Sequence, residues 1–217
     1  SSDVCSSDLY MLIIIAILGT TISPYLFFWQ TSMEVEEIEE RKLVVDKKII
    51  QGMQTDIKTG IFFSNLVFFF IILSTGNVLH EAGIVEIQTV DQAALALKPL
   101  AGKLTYLLFA IGVLGTGMLA IPVLAGSVSY MVSEAFNWEE GLNKKFHEAK
   151  GFYFIMILSI VIAMGINFIG ISPVKALVLT AIIYGLTAPL IIFVILLVSN
   201  NKKIMGEYTN SKWSNLF

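Results

Sequence analysis

The 217-residue chain is 56% hydrophobic and 14% charged, carries a formal net charge of −3, and has a mean hydropathy of +0.78. That composition excludes an ordinary soluble domain, and the mild acidic balance gives no surface for nucleic acid. Uncharged stretches at 9–33, 59–79, 104–133, 151–174 and 176–201 each supply the roughly 20 residues a helix needs to cross a bilayer. In lipid such runs must be helices rather than open strands, so the predicted fold class is all-α: a polytopic transmembrane helical bundle surrounded by the lipid bilayer.

In chain order, the opening "SSDVCSSDL" is polar, repeats Ser-Ser-Asp within eight residues, and abuts an unrelated apolar run. It resembles the translation of a sequencing-adapter oligonucleotide, so residues 1–8 are expected to be foreign to the natural protein and 9–217 to be one fragment of a transmembrane domain. Cys5, the chain's single cysteine, falls in this segment and carries no redox information. The first span is predicted over about 10–31. Inside it lies "GTTISPYLFFWQ", residues 19–30. Pro24 has no amide hydrogen, and its ring displaces the carbonyl four residues earlier, that of Thr20. One backbone oxygen and the hydroxyls of Thr20, Thr21 and Ser23 therefore gather near the bilayer midplane, where unsatisfied backbone is tolerated only inside protein or beside water. Such a break either forms a cation site, as in transporters with discontinuous helices, or is a plain kink whose freed carbonyl a neighbouring Ser or Thr satisfies.

A connection over 34–58 follows, with Leu43, Val44, Ile49, Ile50 and Met53 punctuating charges, as expected of an amphipathic segment along the interface. The Glu34–Glu40 cluster solvates a helix end. Further spans are predicted at about 60–79, 104–133, 151–171 and 175–199. The connection between the second and third holds His80, Glu81, Glu86 and Asp91, but no second histidine stands at zinc-site spacing, and His147 is equally isolated. No GxSxG, Walker or CxxC pattern occurs, so an enzyme is not expected. The third span exceeds what a 30 Å core requires. Pro122 allows it to kink, and Gly112, Thr116 and Ala120, then Ala125, Ser129 and Ser133, form small-residue rows suited to close helix packing.

At "GTTISPYLFFWQ" the chain resembles the sixth transmembrane helix of the NRAMP divalent-metal transporter family, whose usual pattern is Gly-Ala-Thr-Val-Met-Pro-His. "SNLVFFFII" (64–72) is similar to the family's seventh helix, "LFAIGVLGTG" with "LAG" (108–126) to the eighth, and "NKKIMGEYTN" (201–210) to the segment after the tenth. The resemblance implies helices six to ten of a LeuT-like inverted-repeat fold whose first helix here is broken, with the missing N-terminal helices of the same protein as partners and a divalent metal cation as substrate rather than as a bound cofactor. It also implies a multi-pass protein of the cytoplasmic membrane. The family's ligands on this helix, an alanine carbonyl and a methionine sulfur, correspond to Thr20 and Ser23. Its histidine corresponds to Tyr25, beside Pro24, and a polar gating network implied by the family would join Thr21 to Asn65. For Asn65 an interhelical hydrogen bond is the alternative.

Departures from the family pattern carry information. Oxygen at position 23 suits Mg²⁺ or Mn²⁺ where sulfur suits softer ions. The arginines of the family's ninth helix are absent from "GFYFIMILSIVIAMGINFIG", and the tenth-helix glutamine gives way near Ala181 or Thr187. These features resemble the magnesium-transporting branch. Two other readings stay open: a LeuT-fold carrier of an amino acid or other small solute, and a non-transporting membrane subunit.

Eleven of the 14 Lys and Arg residues fall in the first connection, the third connection and the tail. The positive-inside rule places these segments and the C-terminus in the cytoplasm. A cysteine introduced within 84–97 should therefore react with an impermeant thiol reagent on intact cells, whereas cysteines replacing Lys144 or Lys202 should not. Labelling at the latter two positions overturns the orientation.

Overall fold

A computed structural model describes residues 2–81, 83, 87, 89–211 and 215, and the side chains of all of these except 2–9, 100 and 167. Glu86 and Lys212, and part of the 79–103 connection, lie outside the described residues. Among the described residues there is no strand. The helices are α1 (Ser2–Thr21), α2 (Pro24–Glu40), α3 (Lys47–Glu81), the short α4 (Val90–Ala94) and α5 (Lys98–Ala101), α6 (Thr105–Ala135), α7 (Lys150–Phe168), α8 (Pro173–Ser199) and the short α9 (Lys202–Met205). Four runs are long and apolar enough to cross a membrane: Tyr10–Glu40 counted through its break, Lys47–Glu81, Gly102–Ala135 and Pro173–Ser199. The fifth expected span corresponds to α7, whose 19 residues measure about 28 Å at helical rise. Its described apolar stretch, Lys150–Ile166, is shorter than the other four. A polytopic helical membrane bundle is thus the observed architecture.

The expected amphipathic segment is not separate. Lys42 takes a left-handed turn after α2, with φ of 50°, and Asp46 caps the next helix by accepting the Ile49 amide at 2.8 Å. From Lys47 the backbone runs without interruption to Glu81, 35 residues or about 52 Å. No proline stands between 47 and 60, and the glycine there, Gly52, weakens a helix without ending it, so the helix that holds the expected span at about 60–79 begins inside the 34–58 connection.

Contacts divide the chain into two units, one of 1–27 with 176–217 and one of 28–175. In the first, the motif "NKKIMGEYTN" folds back on the end of α8. Asn201 caps α9 by accepting the Lys203 amide, the Asn210 amide donates to the Ser199 carbonyl at 3.1 Å, and the side chains of Asn200 and Asn215 exchange hydrogen bonds.

In the second unit the core lies where α6 meets α7. Tyr130, Ala149 and Phe152 are buried there, with Trp29, Tyr153 and Met156 packed against them. Tyr130 meets Phe152 edge to face at 4.8 Å and Trp29 at 6.1 Å, an arrangement favoured by the ring quadrupoles. Two glycines, Gly126 beside the second small-residue row and Gly151 at the start of α7, make room for these rings. A Cβ on Gly126 would stand 2.4 Å from the Trp29 ring, and one on Gly151 would stand 2.4 Å from Trp138. Ala125, Ser129 and Ser133 are buried as expected, whereas Gly112 and Thr116 of the upper row are exposed. At the other end of the unit, Thr89 and Gln92 form a reciprocal capping box at the start of α4. Thr105 is buried and donates to the Gly102 carbonyl at 2.8 Å, closing a turn in which Gly102 adopts φ of 52°.

A polar knot ties α2 to this core. The Glu36 carboxylate accepts hydrogen bonds from the Tyr130 hydroxyl and, at 3.1 Å, from the Leu142 amide. Gly141, at φ of 130°, leaves room for that carboxylate, since a Cβ there would stand 2.8 Å from Glu36 Oε1. Tyr153 fastens the same loop to α7 by donating to the Lys144 carbonyl at 2.7 Å, and Lys144 pairs with Glu139. Burial, followed by the like charges of Glu134 and Glu36, pushes the neighbouring Glu140 carboxyl above its ordinary range, against the opposing pull of Lys144.

Two outcomes follow from this packing. Gly126→Ala should lower the melting temperature of the detergent-solubilised protein, by the equivalent of about 1–3 kcal/mol for an overpacked contact, and Trp29→Leu in the same chain should recover part of the loss. A carboxyl held above its ordinary range destabilises the fold once it ionises, and that penalty vanishes in acid. Glu140→Gln should accordingly raise the melting temperature at neutral pH, with the gain disappearing below the ordinary carboxyl value of 4.5; an equal gain at both pH values contradicts this.

Candidate functional site

α1 and α2 form one helical run interrupted at Ile22 and Ser23. The Ile22 amide donates to the Leu18 carbonyl at 3.0 Å, the last bond of α1, and the Leu26 amide restarts the pattern by donating to the Ser23 carbonyl at 3.1 Å. Between them stands Pro24, buried and without a donor. The carbonyl it releases, that of Thr20, accepts the Ser23 hydroxyl at 3.3 Å. The hydroxyls of Thr20 and Thr21 both donate to the Ile17 carbonyl, at 2.8 and 2.9 Å, which leaves their lone pairs free to face outward.

The two oxygens expected as ligands are thus adjacent. In an oxygen-coordinated dication, with metal–oxygen distances of about 2.0–2.1 Å for Mg²⁺ and about 2.3–2.6 Å for Ca²⁺, neighbouring ligands lie about 2.8–3.7 Å apart, closest for Mg²⁺. The Thr20 carbonyl and the Ser23 hydroxyl fall within that interval, so a cation could replace the hydroxyl proton between them without moving the backbone. The same hydrogen bond also meets the requirement of a plain kink. The geometry permits both readings. Among the described residues no three His, Cys, Asp or Glu side chains converge on a point, so any cation here would meet neutral oxygens from this chain.

Helix α8 borders the break. A Cβ on Gly19 would stand 2.0 Å from the Ala181 carbonyl and 2.4 Å from the Gly185 amide, and one on Gly185 would stand 2.2 Å from the Ile15 carbonyl. The two helices therefore touch backbone to backbone directly before the interruption. Directly after it, the Tyr25 ring meets Tyr184 of α8, with centroids 5.9 Å apart at 43°. Of the two positions expected to replace the family glutamine, Ala181 lies at this contact, while the Thr187 hydroxyl donates to Ile183 in its own helix at 3.0 Å.

Asn65 stands on α3, in the other unit, and its amide donates to the Ile61 carbonyl at 2.8 Å. An amide in mid-helix reaches the carbonyl one turn back without rearrangement, and this bond leaves the Asn65 side-chain oxygen and its second amide hydrogen for other partners. Around it Ile61, Phe62, Leu66 and Phe69 form a shallow open groove along a single helix. Sequence reasoning did not single out Tyr184, Gly185 or the Glu36–Tyr130 pair. A signal existed for the first two: Ala181, Gly185 and Ala188 repeat small residues at helical spacing along α8.

Comparison with known proteins adds an independent line. A family model described as natural resistance-associated macrophage protein-like (Nramp) matches residues 3–217. Among relatives, a divalent metal cation transporter MntH of Caldanaerobacter subterraneus subsp. tengcongensis is 25% identical over 203 residues, which cover 93% of this chain and 45% of that protein. MntH of Vibrio campbellii is 24% identical, covering 91% of this chain and 43% of its own length. MntH 1 of Pseudomonas aeruginosa is 23% identical, covering 98% and 48% respectively. The chain spans about half the length of these relatives. They are transporters, not enzymes.

Proposed function

We infer the function from one premise: the chain belongs to the Nramp family, whose model matches residues 3–217. The whole protein that contains this chain transports a divalent metal cation across the cytoplasmic membrane, with the C-terminal segment of this chain on the cytoplasmic side. The break at residues 20–24 is this chain's part of the ion pathway, within a LeuT-like inverted repeat, and the remaining ligands come from helices that the relatives' extra length would supply. The observation that carries the reading is the placement of the Thr20 carbonyl and the Ser23 hydroxyl 3.3 Å apart at an unpaired turn of an otherwise continuous apolar helix.

Chemistry then narrows the ion. Both donors are hard oxygens, and no sulfur or imidazole stands within the break, so Mg²⁺ or Mn²⁺ is preferred over Cd²⁺ and other sulfur-seeking ions. A dication among neutral oxygens is poorly compensated. It keeps part of its water shell, or meets a carboxylate from the other helices. Thr21, Pro24 and Tyr25 shape the break, and the side-chain oxygen of Asn65, which the bond to Ile61 does not use, is the group by which that residue would serve the polar network.

The whole protein in proteoliposomes should take up Mn²⁺ or Mg²⁺ and discriminate against Cd²⁺. Ser23→Met should shift selectivity toward Cd²⁺ by about tenfold or more. Thr20→Ala should change uptake little, because the carbonyl is retained. If Ser23→Met leaves selectivity untouched, the Thr20–Ser23 pair is a kink and not a site. Ready Cd²⁺ uptake that excludes Mg²⁺ and Mn²⁺ overturns the choice of ion.

A further inference from the structure

We propose that Tyr184 is a positioning residue of the ion site, acting through Tyr25; this rests on the reading of the break as part of the ion pathway. One turn of α8, residues 181–185, lies against the chain on both sides of the interruption. Before it, Gly19 meets the Ala181 carbonyl and the Gly185 backbone with no side chain between them, a contact that would not admit even a methyl group. After it, the first turn of α2 presents Tyr25 to the Tyr184 ring. Ile22 and Ser23 belong to neither helix, so local backbone pairing does not fix where α2 starts relative to the end of α1.

α8 supplies what the backbone lacks. It acts as a splint, rigid at Gly19 and adjustable at Tyr25, and the spacing between the Thr20 carbonyl and the Ser23 hydroxyl follows from it. Dications that differ in radius differ in the oxygen spacing they accept, so the splint controls selectivity as well as affinity. Tyr184 acts with its ring. Aromatic pairs of this geometry contribute enough that loss of one partner corresponds to a roughly three- to tenfold change in an equilibrium.

The test uses the whole transporter in proteoliposomes, with Mn²⁺ and the larger Ca²⁺ as probes. Tyr184→Ala should raise the KM for Mn²⁺ about three- to tenfold, with a smaller change in maximal rate, and should lower the ratio of Mn²⁺ to Ca²⁺ uptake. Tyr184→Phe keeps the ring and should recover most of that loss. In a double-mutant cycle, Tyr25→Ala with Tyr184→Ala should be no worse than the more damaging single variant. Should Tyr184→Ala fail to fold, Tyr184→Leu, which keeps a branched apolar side chain without a ring, is measured in its place. Strictly additive effects of Tyr25 and Tyr184, a Tyr184→Phe variant as impaired as Tyr184→Ala, or a lowered melting temperature with KM and ion ratio unchanged would each overturn the assignment. An unaltered selectivity in Ser23→Met removes the underlying site reading instead, so the two failures are told apart.

Discussion

A missing hydrogen on one nitrogen organises the first helix of this chain. Pro24 cannot donate, and in hydrocarbon each backbone group left unpaired costs several kcal/mol, because no water is present to take it. A proline in a helix interior adds a penalty of about 3 kcal/mol of its own. The chain answers with short-range chemistry. Ser23 supplies a proton to the Thr20 carbonyl, and the two threonines send theirs one turn back to Ile17. The Thr20 carbonyl is thereby satisfied without any ligand, yet by a bond that a cation could replace. A hydroxyl-to-carbonyl bond of this length contributes only about 1 kcal/mol net, which is weak enough to be exchanged for coordination.

Each half of the interrupted helix has its own anchorage, and the two differ in kind. α1 is held by shape: Gly19 and Gly185 allow backbones to touch, as small residues do where no hydrophobic force drives helices together in lipid. The later turns of α2 are held by a large aromatic ring in a glycine notch and by a carboxylate with two donors, the Tyr130 hydroxyl and the Leu142 amide. The second mode belongs near water, since a carboxylate in hydrocarbon is expensive while one at a helix end beside a solvated loop is not. The distribution of side chains along α2 therefore reports depth, with Pro24 and Tyr25 at one end and the glutamates at the other.

How much of this was legible in the sequence depends on the range of each interaction. The break, the identity of the freed carbonyl and the involvement of Ser23 are consequences of residues within four positions of one another, and they were readable. So were the five apolar segments and the small-residue row at Ala125, Ser129 and Ser133. The length of α3 was not legible, because charge marks solvation, not helix termination, and Lys47–Lys58 holds no proline and one tolerated glycine, Gly52. The Tyr130–Glu36 bond joins residues 94 positions apart. No periodicity encodes such a pair, and Glu36 by itself was indistinguishable from its neighbours in an acidic cluster. Asn65 illustrates a different limit, since a polar residue in an apolar span invites a long-range role while its own helix can also take up one of its amide hydrogens.

Glycines illustrate why close approach is legible only from both sides at once. Gly19 and Gly126 are unremarkable letters in apolar runs, and Gly112 and Gly115 look the same, yet a Cβ would collide with a neighbour at the first two and meet open space at the others. The difference lies in the partner: Gly19 faces an α8 turn that is itself Ala181 and Gly185, and Gly126 faces a tryptophan five residues beyond Pro24. A small residue matters where its opposite number is either equally small, so that backbones meet, or large and flat, so that a ring fills the gap. Both situations flank the same interruption, one before it and one after it. Along the chain, a close contact thus precedes the least regular backbone and another follows it. That is what a helix broken in a membrane requires: the pairing lost along the chain must be replaced by contacts that hold the broken ends in place.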